Sequence, residues 1–187
     1  MKLFSNFDTK RKQEAYNEAV QKFSAKNVLV LSKSGLFLMV KVIFPLLGWT
    51  LVFIALQFPI YISLEEFGNV RYILTAVMFF VYIVVISPSF KYYIDYIMDF
   101  SLVTPQYLTR YNQSGPLKRD IKASNVKNIK TITIEKNNLL YNIFDNGNLI
   151  FLSEGDRDND GEIVLHYIKD PETKKKEITR IMQTVLA

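Results

Sequence analysis

Cysteine is absent from the 187 residues, and histidine occurs once, at His166. Those two shortages largely exclude disulfide frameworks, thiol nucleophiles, Cys/His zinc sites and Ser-His-Asp triads. Catalysis would have to rest on carboxylates, lysine or tyrosine. Glycine is also scarce, with seven residues scattered along the chain, and none of them builds a phosphate-cradling loop. The length leaves room for one ordinary soluble core at most. Acidic residues are thin at the start: residues 1–41 hold eight Lys/Arg against three Asp/Glu, whereas residues 91–187 hold fourteen against thirteen. The net charge of +5 therefore comes mainly from a basic N-terminal arm. A basic segment directly before a hydrophobic span reads as a topology signal, not as a nucleic-acid surface.

Charge is missing altogether from two long runs. Val42 to Leu64 and Tyr72 to Phe90 contain 23 and 19 residues without an ionisable group. At 1.5 Å per residue each covers roughly 30 Å of hydrocarbon, so both read as transmembrane helices. Residues 65–71 alone connect them, which predicts an antiparallel hairpin with both chain ends on one side. Lys33, Lys41 and Lys91 flank the spans on that side, and the connecting loop carries Arg71 against Glu65 and Glu66. The positive-inside rule makes the termini cytoplasmic in a multi-pass cell-membrane protein. No cleavable signal is visible before Asp8, Lys10, Arg11 and Lys12, so the first span is expected to serve as its own insertion signal.

Residues 8–25 have helical spacing, with Asp8 as an N-cap and Tyr16, Val20 and Phe23 on one face. Such a helix either lies on anionic lipid or packs on the protein's own domain, and both readings stand. Residues 27–32 are strand-like and are expected to pair with the later domain. Beyond Phe90 the apolar period falls to about two. Strands are predicted over 96–103, 107–112, 117–122, 126–135, 149–152 and 162–168, punctuated by Thr104-Pro105, Ser114-Gly115-Pro116, Asn137-Asn138 and Asp145-Asn146-Gly147. Four consecutive apolar residues, Leu149 to Leu152, suit a strand buried on both faces. Asp170-Pro171-Glu172 opens a helix with a capping carboxylate, Pro at the first position and an acid in the first turn. Ile178, Ile181, Met182 and Val185 are its apolar stripe.

The fold class is thus α+β: a basic arm over residues 1–34, a hairpin over 35–91 and a β-rich domain over 92–187. The order of parts from Tyr92 resembles the bacterial pleckstrin-homology domain of YdbS-like membrane proteins. The likeness rests on Tyr93, Asp95, Tyr96 and Asp99 leading into Leu102-Val103-Thr104, then Tyr107-Leu108-Thr109, Gly115, Ser124 to Ile132, Phe144 to Ile150, and Ile168-Lys169-Asp170-Pro171. The resemblance implies a pleckstrin-type antiparallel barrel closed by the C-terminal helix, and it brings no catalytic residues.

Three local patterns have residue types that could carry chemistry. Asp156-Arg157-Asp158-Asn159-Asp160-Gly161 matches the opening of a calcium loop, but the twelfth position is Tyr167 instead of a bidentate Glu, so an Asx-rich turn between strands is the expectation. His166 lies among apolar neighbours with no second soft ligand and reads as a half-buried structural histidine. Asp95/Asp99 and Asp158/Asp160 have no nucleophile beside them. The reading is a non-enzyme that needs no metal or cofactor, a membrane-anchored binding or scaffold module whose contacts are the bilayer and a protein partner or a second copy. An accessory subunit of a larger membrane complex is the alternative. Lys118, Arg119, Lys122, Lys127 and Lys130 are the candidate residues for contact with anionic lipid or the partner, set apart from the acids between Glu154 and Glu162.

Overall fold

A computed structural model describes residues 10–63, 68–114, 118–153 and 162–184. It divides into two compact units. One takes Met1–Phe37 together with Ile94–Ala187, and the other is Leu38–Tyr93.

The second unit is built from apolar helix. A short helix α2 (Gly35–Leu38) passes through a π-helical turn, Met39–Ile43, into α3 (Phe44–Ser63), and α4 covers Asn69–Met98. Gly35–Ser63 and Asn69–Met98 are both long and apolar enough to cross a membrane, and only 11% and 6% of their most apolar stretches are buried. Core helices of a soluble protein would be covered by their own chain. Here Leu51, Phe58 and Phe80 are each about two-thirds exposed.

Among the described residues the other unit contains α1 (Lys10–Phe23), seven strands, a five-residue helix α5 (Leu139–Ile143) and α6 (Pro171–Gln183). The strands are β1 (Leu29–Ser32), β2 (Phe100–Val103), β3 (Tyr107–Ser114), β4 (Lys118–Asn125), β5 (Ile129–Glu135), β6 (Asn146–Ser153) and β7 (Glu162–Lys169). They form two antiparallel sheets, ordered β1-β2-β3-β4 and β5-β6-β7. The strand before the apolar helices thus joins the strands after them, with Leu29 opposite Val103 and Leu31 opposite Ser101.

One core serves both sheets and α6. It contains Leu31, Val103, Leu108, Leu149, Phe151, Ile163, Leu165, Ile168, Ile178 and Ile181, with Leu108, Leu149 and Ile178 fully buried. A second, smaller cluster settles the alternatives for α1. Ala19 packs with Val28 and Leu102, and Tyr16, Val20, Phe23 and Tyr111 close around them, so the apolar stripe of α1 covers its own sheet. Asp8, its expected cap, lies outside the described residues.

Three expectations need correction. The sheets do not close into a barrel. Among the described residues no ladder joins β4 to β5, because Asn125 caps a 3-10 turn, Val126–Asn128, that interrupts the strand path. Residues 96–98 are helical, not strand: α4 continues through them, since each added residue of an existing helix gains a hydrogen bond without a new nucleation cost. Leu152 is 43% exposed beside fully buried Leu149 and Phe151 at 1%, so β6 shows one face to the core as antiparallel strands commonly do. Residues 139–143 form a helical turn in which the Asn138 side chain accepts from the Tyr141 N–H at 2.9 Å. The start of α6 matches its signals: Asp170, at φ 49°, accepts from the Thr173 N–H at 3.3 Å, and Pro171 follows.

Candidate functional site

The most concentrated polar group in the β-rich unit lies where β1 and β7, the outer strands of the two sheets, approach each other. The Ser34 N–H donates to the Tyr167 carbonyl at 2.8 Å. Phe37 packs edge-on against Tyr167, with ring centroids 5.1 Å apart. Just past the end of β1, Lys33 Nζ donates to Asp99 Oδ2 at 2.6 Å, over the face of Phe37 at 4.3 Å. The other oxygen, Asp99 Oδ1, accepts from the Gln113 N–H at 2.6 Å. The side chains of Lys33 and Asp99 are 15% and 9% exposed. Ser32, Ser101, Arg110 and His166 are among the residues that line, with Lys33 and Asp99, a cavity of about 20 Å³, room for roughly one water.

Desolvation dominates the electrostatics. Burial pushes the Asp99 carboxyl up from the ordinary aspartate value, and the Lys33 ammonium with its hydrogen bond opposes that rise. Burial also pulls Arg110 down, against the pull of Asp99 and Asp120. His166 is lowered, first by desolvation and then by the Arg110 and Lys33 charges. Expected as half-buried, His166 is instead an exposed residue of β7 that still lines the cavity. The Lys33–Asp99 pair, with both carboxylate oxygens engaged, ties the end of β1 to the start of β2 and to β3, and the Ser34–Tyr167 bond links that sheet to β7. Among the described residues no three His, Asp or Glu side chains gather in a metal-ligating group.

The five basic candidates do not share one element. Lys118, Arg119 and Lys122 are on β4, opposite Ser114, Gln113 and Arg110. Lys127 lies in the turn after β4, and Lys130 belongs to β5 of the other sheet. Lys122, Lys127 and Lys130 are exposed. The calcium-like sequence Asp156 to Gly161 falls outside the described residues.

Two further surfaces appear only in the fold. Leu139, Ile143 and Phe144 are 73%, 63% and 54% exposed around α5, an apolar patch of the kind that marks interaction sites. A groove of about 490 Å³ runs between β5 and α6, lined by Ile134, Glu172, Lys175, Lys176, Thr179, Arg180 and Gln183. Its α6 positions recur at three- and four-residue steps, the spacing of one helix face, and that periodicity was the available signal.

Within the apolar unit, α3 and α4 meet through polar and aromatic pairs. Thr50 Oγ1 and Tyr82 Oη are 2.8 Å apart, Gln57 Nε2 donates to Thr75 Oγ1 at 2.6 Å, and Phe53 lies 6.4 Å from Phe79. Position rises along one helix as it falls along the other. Each helix supplies its two hydrogen-bonding residues seven positions apart, the spacing that would have found them. Arg71 stacks on Tyr61 at 4.6 Å and on Tyr72 at 4.9 Å, and Lys41 lies over Tyr92 at 5.9 Å.

Comparison with known protein families, with curated proteins and with solved structures finds no match to this chain.

Proposed function

We propose that the protein is a membrane-anchored, non-catalytic binding module: a two-helix transmembrane hairpin holding a pleckstrin-homology-like domain at the cytoplasmic face of the cell membrane. The observation that carries this reading is the pairing of β1 with β2. One strand precedes the two apolar helices and the other follows them, yet their backbones are hydrogen-bonded neighbours. A chain that crosses a bilayer between them must cross an even number of times. Two helices of spanning length meet that requirement, and a single crossing does not.

The ends of the helices support the same reading. Lys41 to Tyr61 and Tyr72 to Tyr92 are each twenty residues apart in the numbering, roughly 30 Å of helix, with a cation–aromatic pair at either end. Aromatic and basic side chains collect at the two headgroup levels of a bilayer, with about that spacing between them. Two antiparallel sheets around one core, with an amphipathic C-terminal helix packed into it, support the pleckstrin-type resemblance. The exposed Lys122, Lys127 and Lys130, together with Lys118 and Arg119, are the surface for anionic lipid. The exposed apolar residues around α5 favour a second reading, an accessory subunit of a larger membrane complex.

Reporter fusions test the anchor. A reporter active only in the cytoplasm is expected to work when fused at residue 1 or 187 and to fail within residues 66–69. Opposite signals at the two termini would refute the hairpin. For lipid contact, hydrogen–deuterium exchange of the whole chain in nanodiscs is expected to slow over β4 when phosphatidylglycerol replaces phosphatidylcholine. In the Lys118→Glu/Arg119→Glu/Lys122→Glu variant that slowing should vanish.

A further inference from the structure

We infer that the apolar turn α5 is a membrane foot: Leu139, Ile143 and Phe144 enter the boundary between headgroups and acyl chains on the side of the bilayer from which the first apolar helix starts. The inference rests on the membrane-anchor reading. It concerns a different surface from the basic residues of β4 and β5, and a contact that needs no anionic lipid. Two features identify the bilayer as the occupant.

The first is position. Phe37 lies in the opening turn of the apolar run Gly35–Ser63, so in an anchored chain it sits at the bilayer surface. Its ring meets Tyr167 edge-on at 5.1 Å, and Tyr167 meets Tyr141 of α5 edge-on at 5.2 Å. All three rings belong to the same compact unit, and the two steps put Tyr141 within about 10 Å of Phe37. A headgroup layer is roughly 5–7 Å deep, so side chains flanking Tyr141 reach it. Tyr167 is strained in holding this arrangement, because its φ of 57° lies in the left-handed region that bulky residues rarely adopt. The Ser34 N–H, bonded to the Tyr167 carbonyl at 2.8 Å, fixes the same stretch of backbone.

The second is how the turn is built. From Asn137 to Phe144 the chain carries no charged side chain. Lys136 and Asp145 bracket that stretch and bind each other at 3.1 Å. The Asn138 side chain accepts from the Tyr141 N–H at 2.9 Å, and Asn146 Nδ2 donates to the Phe144 carbonyl at 2.7 Å. Tyr141 is 4% exposed, whereas Leu139, Ile143 and Phe144 are more than half exposed. These polar groups thus bond within the loop and its apolar side chains are left outward, in a turn organised before any partner arrives. Facing the cytosol, the patch would suit an accessory subunit. Beside the point of bilayer entry, a neutral patch of Leu, Ile and Phe suits the headgroup–acyl boundary, which takes apolar side chains to a depth of about 5–10 Å.

Because the chain has no cysteine, the variants Ile143→Cys, Gln183→Cys and Phe80→Cys each accept one environment-sensitive fluorophore, read in the full chain in phosphatidylcholine nanodiscs. Gln183 ends α6, about 20 Å of helix from Asp170, whose N–H donates to the Asp145 carbonyl at 2.8 Å; it reports water. Phe80 in α4 reports the bilayer interior. All three positions are exposed, so labelling leaves the core intact, and unchanged hydrogen–deuterium protection of β6 verifies this. The label at 143 is expected to emit to the blue of that at 183 and to be quenched roughly threefold or more strongly by shallow spin-labelled phosphatidylcholine. High salt or added phosphatidylglycerol should leave that quenching unchanged. Equal signals at 143 and 183, with Phe80 quenched by deep spin-labelled lipid, would overturn this inference alone and leave a protein partner on the patch. Quenching at 143 that requires phosphatidylglycerol would overturn it in favour of the basic surface. No lipid quenching at Phe80 would overturn the anchor and the foot together.

Discussion

Replacing Lys33 by methionine removes the charge but keeps most of the aliphatic volume, and it leaves Asp99 buried without its counter-ion. Stripping one partner from a buried ion pair costs about 3–5 kcal/mol, because the remaining charge has neither water nor a mate. Asp99 is buried and Lys33 partly so, at 9% and 15% exposed, which places the expected cost toward the lower end of that range. Pulse proteolysis of the full chain in urea reads the cost, since cleavage tracks the opened fraction of the β-rich unit. The pH dependence gives a second check. Burial already raises the Asp99 pKa, and Lys33 holds the rise down; without Lys33 it climbs further. A carboxyl whose folded-state pKa lies above its unfolded value contributes stability that is present at low pH and lost as pH rises through the folded-state pKa. The Lys33→Met cost should therefore be largest near pH 8 and shrink as falling pH protonates the carboxyl. Adding Asp99→Leu should recover most of the loss at neutral pH, leaving a residue of about 1–3 kcal/mol for the orphaned Gln113 N–H. A single-variant cost below about 1 kcal/mol, or one that grows toward acid, refutes the reasoning.

Ile178→Ala should cost about 2–5 kcal/mol in the same assay, because Ile178 is fully buried where α6 meets both sheets. Gly147→Ala places a Cβ 3.0 Å from Pro171 Cγ and 3.3 Å from the Glu135 carbonyl, and overpacking of that kind should cost about 1–3 kcal/mol by urea midpoint. His166 has a lowered pKa, so the stability it contributes is complete above about pH 6.5 and lost as pH falls from there through its folded-state value; His166→Gln should flatten that acid limb. In the apolar unit, Tyr82→Phe removes the bond to Thr50 and should weaken the α3–α4 contact by about 0.6 kcal/mol, read as a lowered thermal midpoint in detergent.

The parts legible in the sequence are those whose cause is local. A bilayer demands an unbroken apolar run, so both long helices stand out, and the Asp170-Pro171 cap is written in adjacent residues. The strand-like arm, residues 27–32, reads as a partner for the later domain, and β1 within it pairs with β2. The polar cluster was not legible as a site, because Lys33 and Asp99 are 66 positions apart. In sequence Lys33 is a flanking charge, and only the fold makes it the partner of a buried carboxylate. The continuation of α4 through Met98 is hidden for a related reason: alternation in Tyr96, Met98 and Phe100 competes with a helix already under way, and the helix wins. Leu139, Leu140 and Ile143 carry no strong pattern of their own, and the Asn138 cap that defines their turn is an ordinary loop residue until its side chain is placed.

The split of the first sheet across the apolar helices also orders events in folding. Under the two-crossing reading, β1 is made first and must wait for both spans to insert before β2 exists on the same side of the membrane. Until then Leu29 and Leu31 lack the core in which they are buried or half-buried, and the β1-facing edge of β2 is an open template for wrong partners. Closing a sheet across some 67 intervening residues costs only slightly more than closing a shorter loop, since the entropic penalty grows with the logarithm of length, and an inserted hairpin lowers it further by returning the chain to its starting side. The same geometry makes the β-rich unit sensitive to insertion. A chain with one span misplaced separates β1 from β2, deprives Asp99 of Lys33 and strips α1 from Leu102. Binding by this unit would accordingly arise only in chains whose two helices have both been placed.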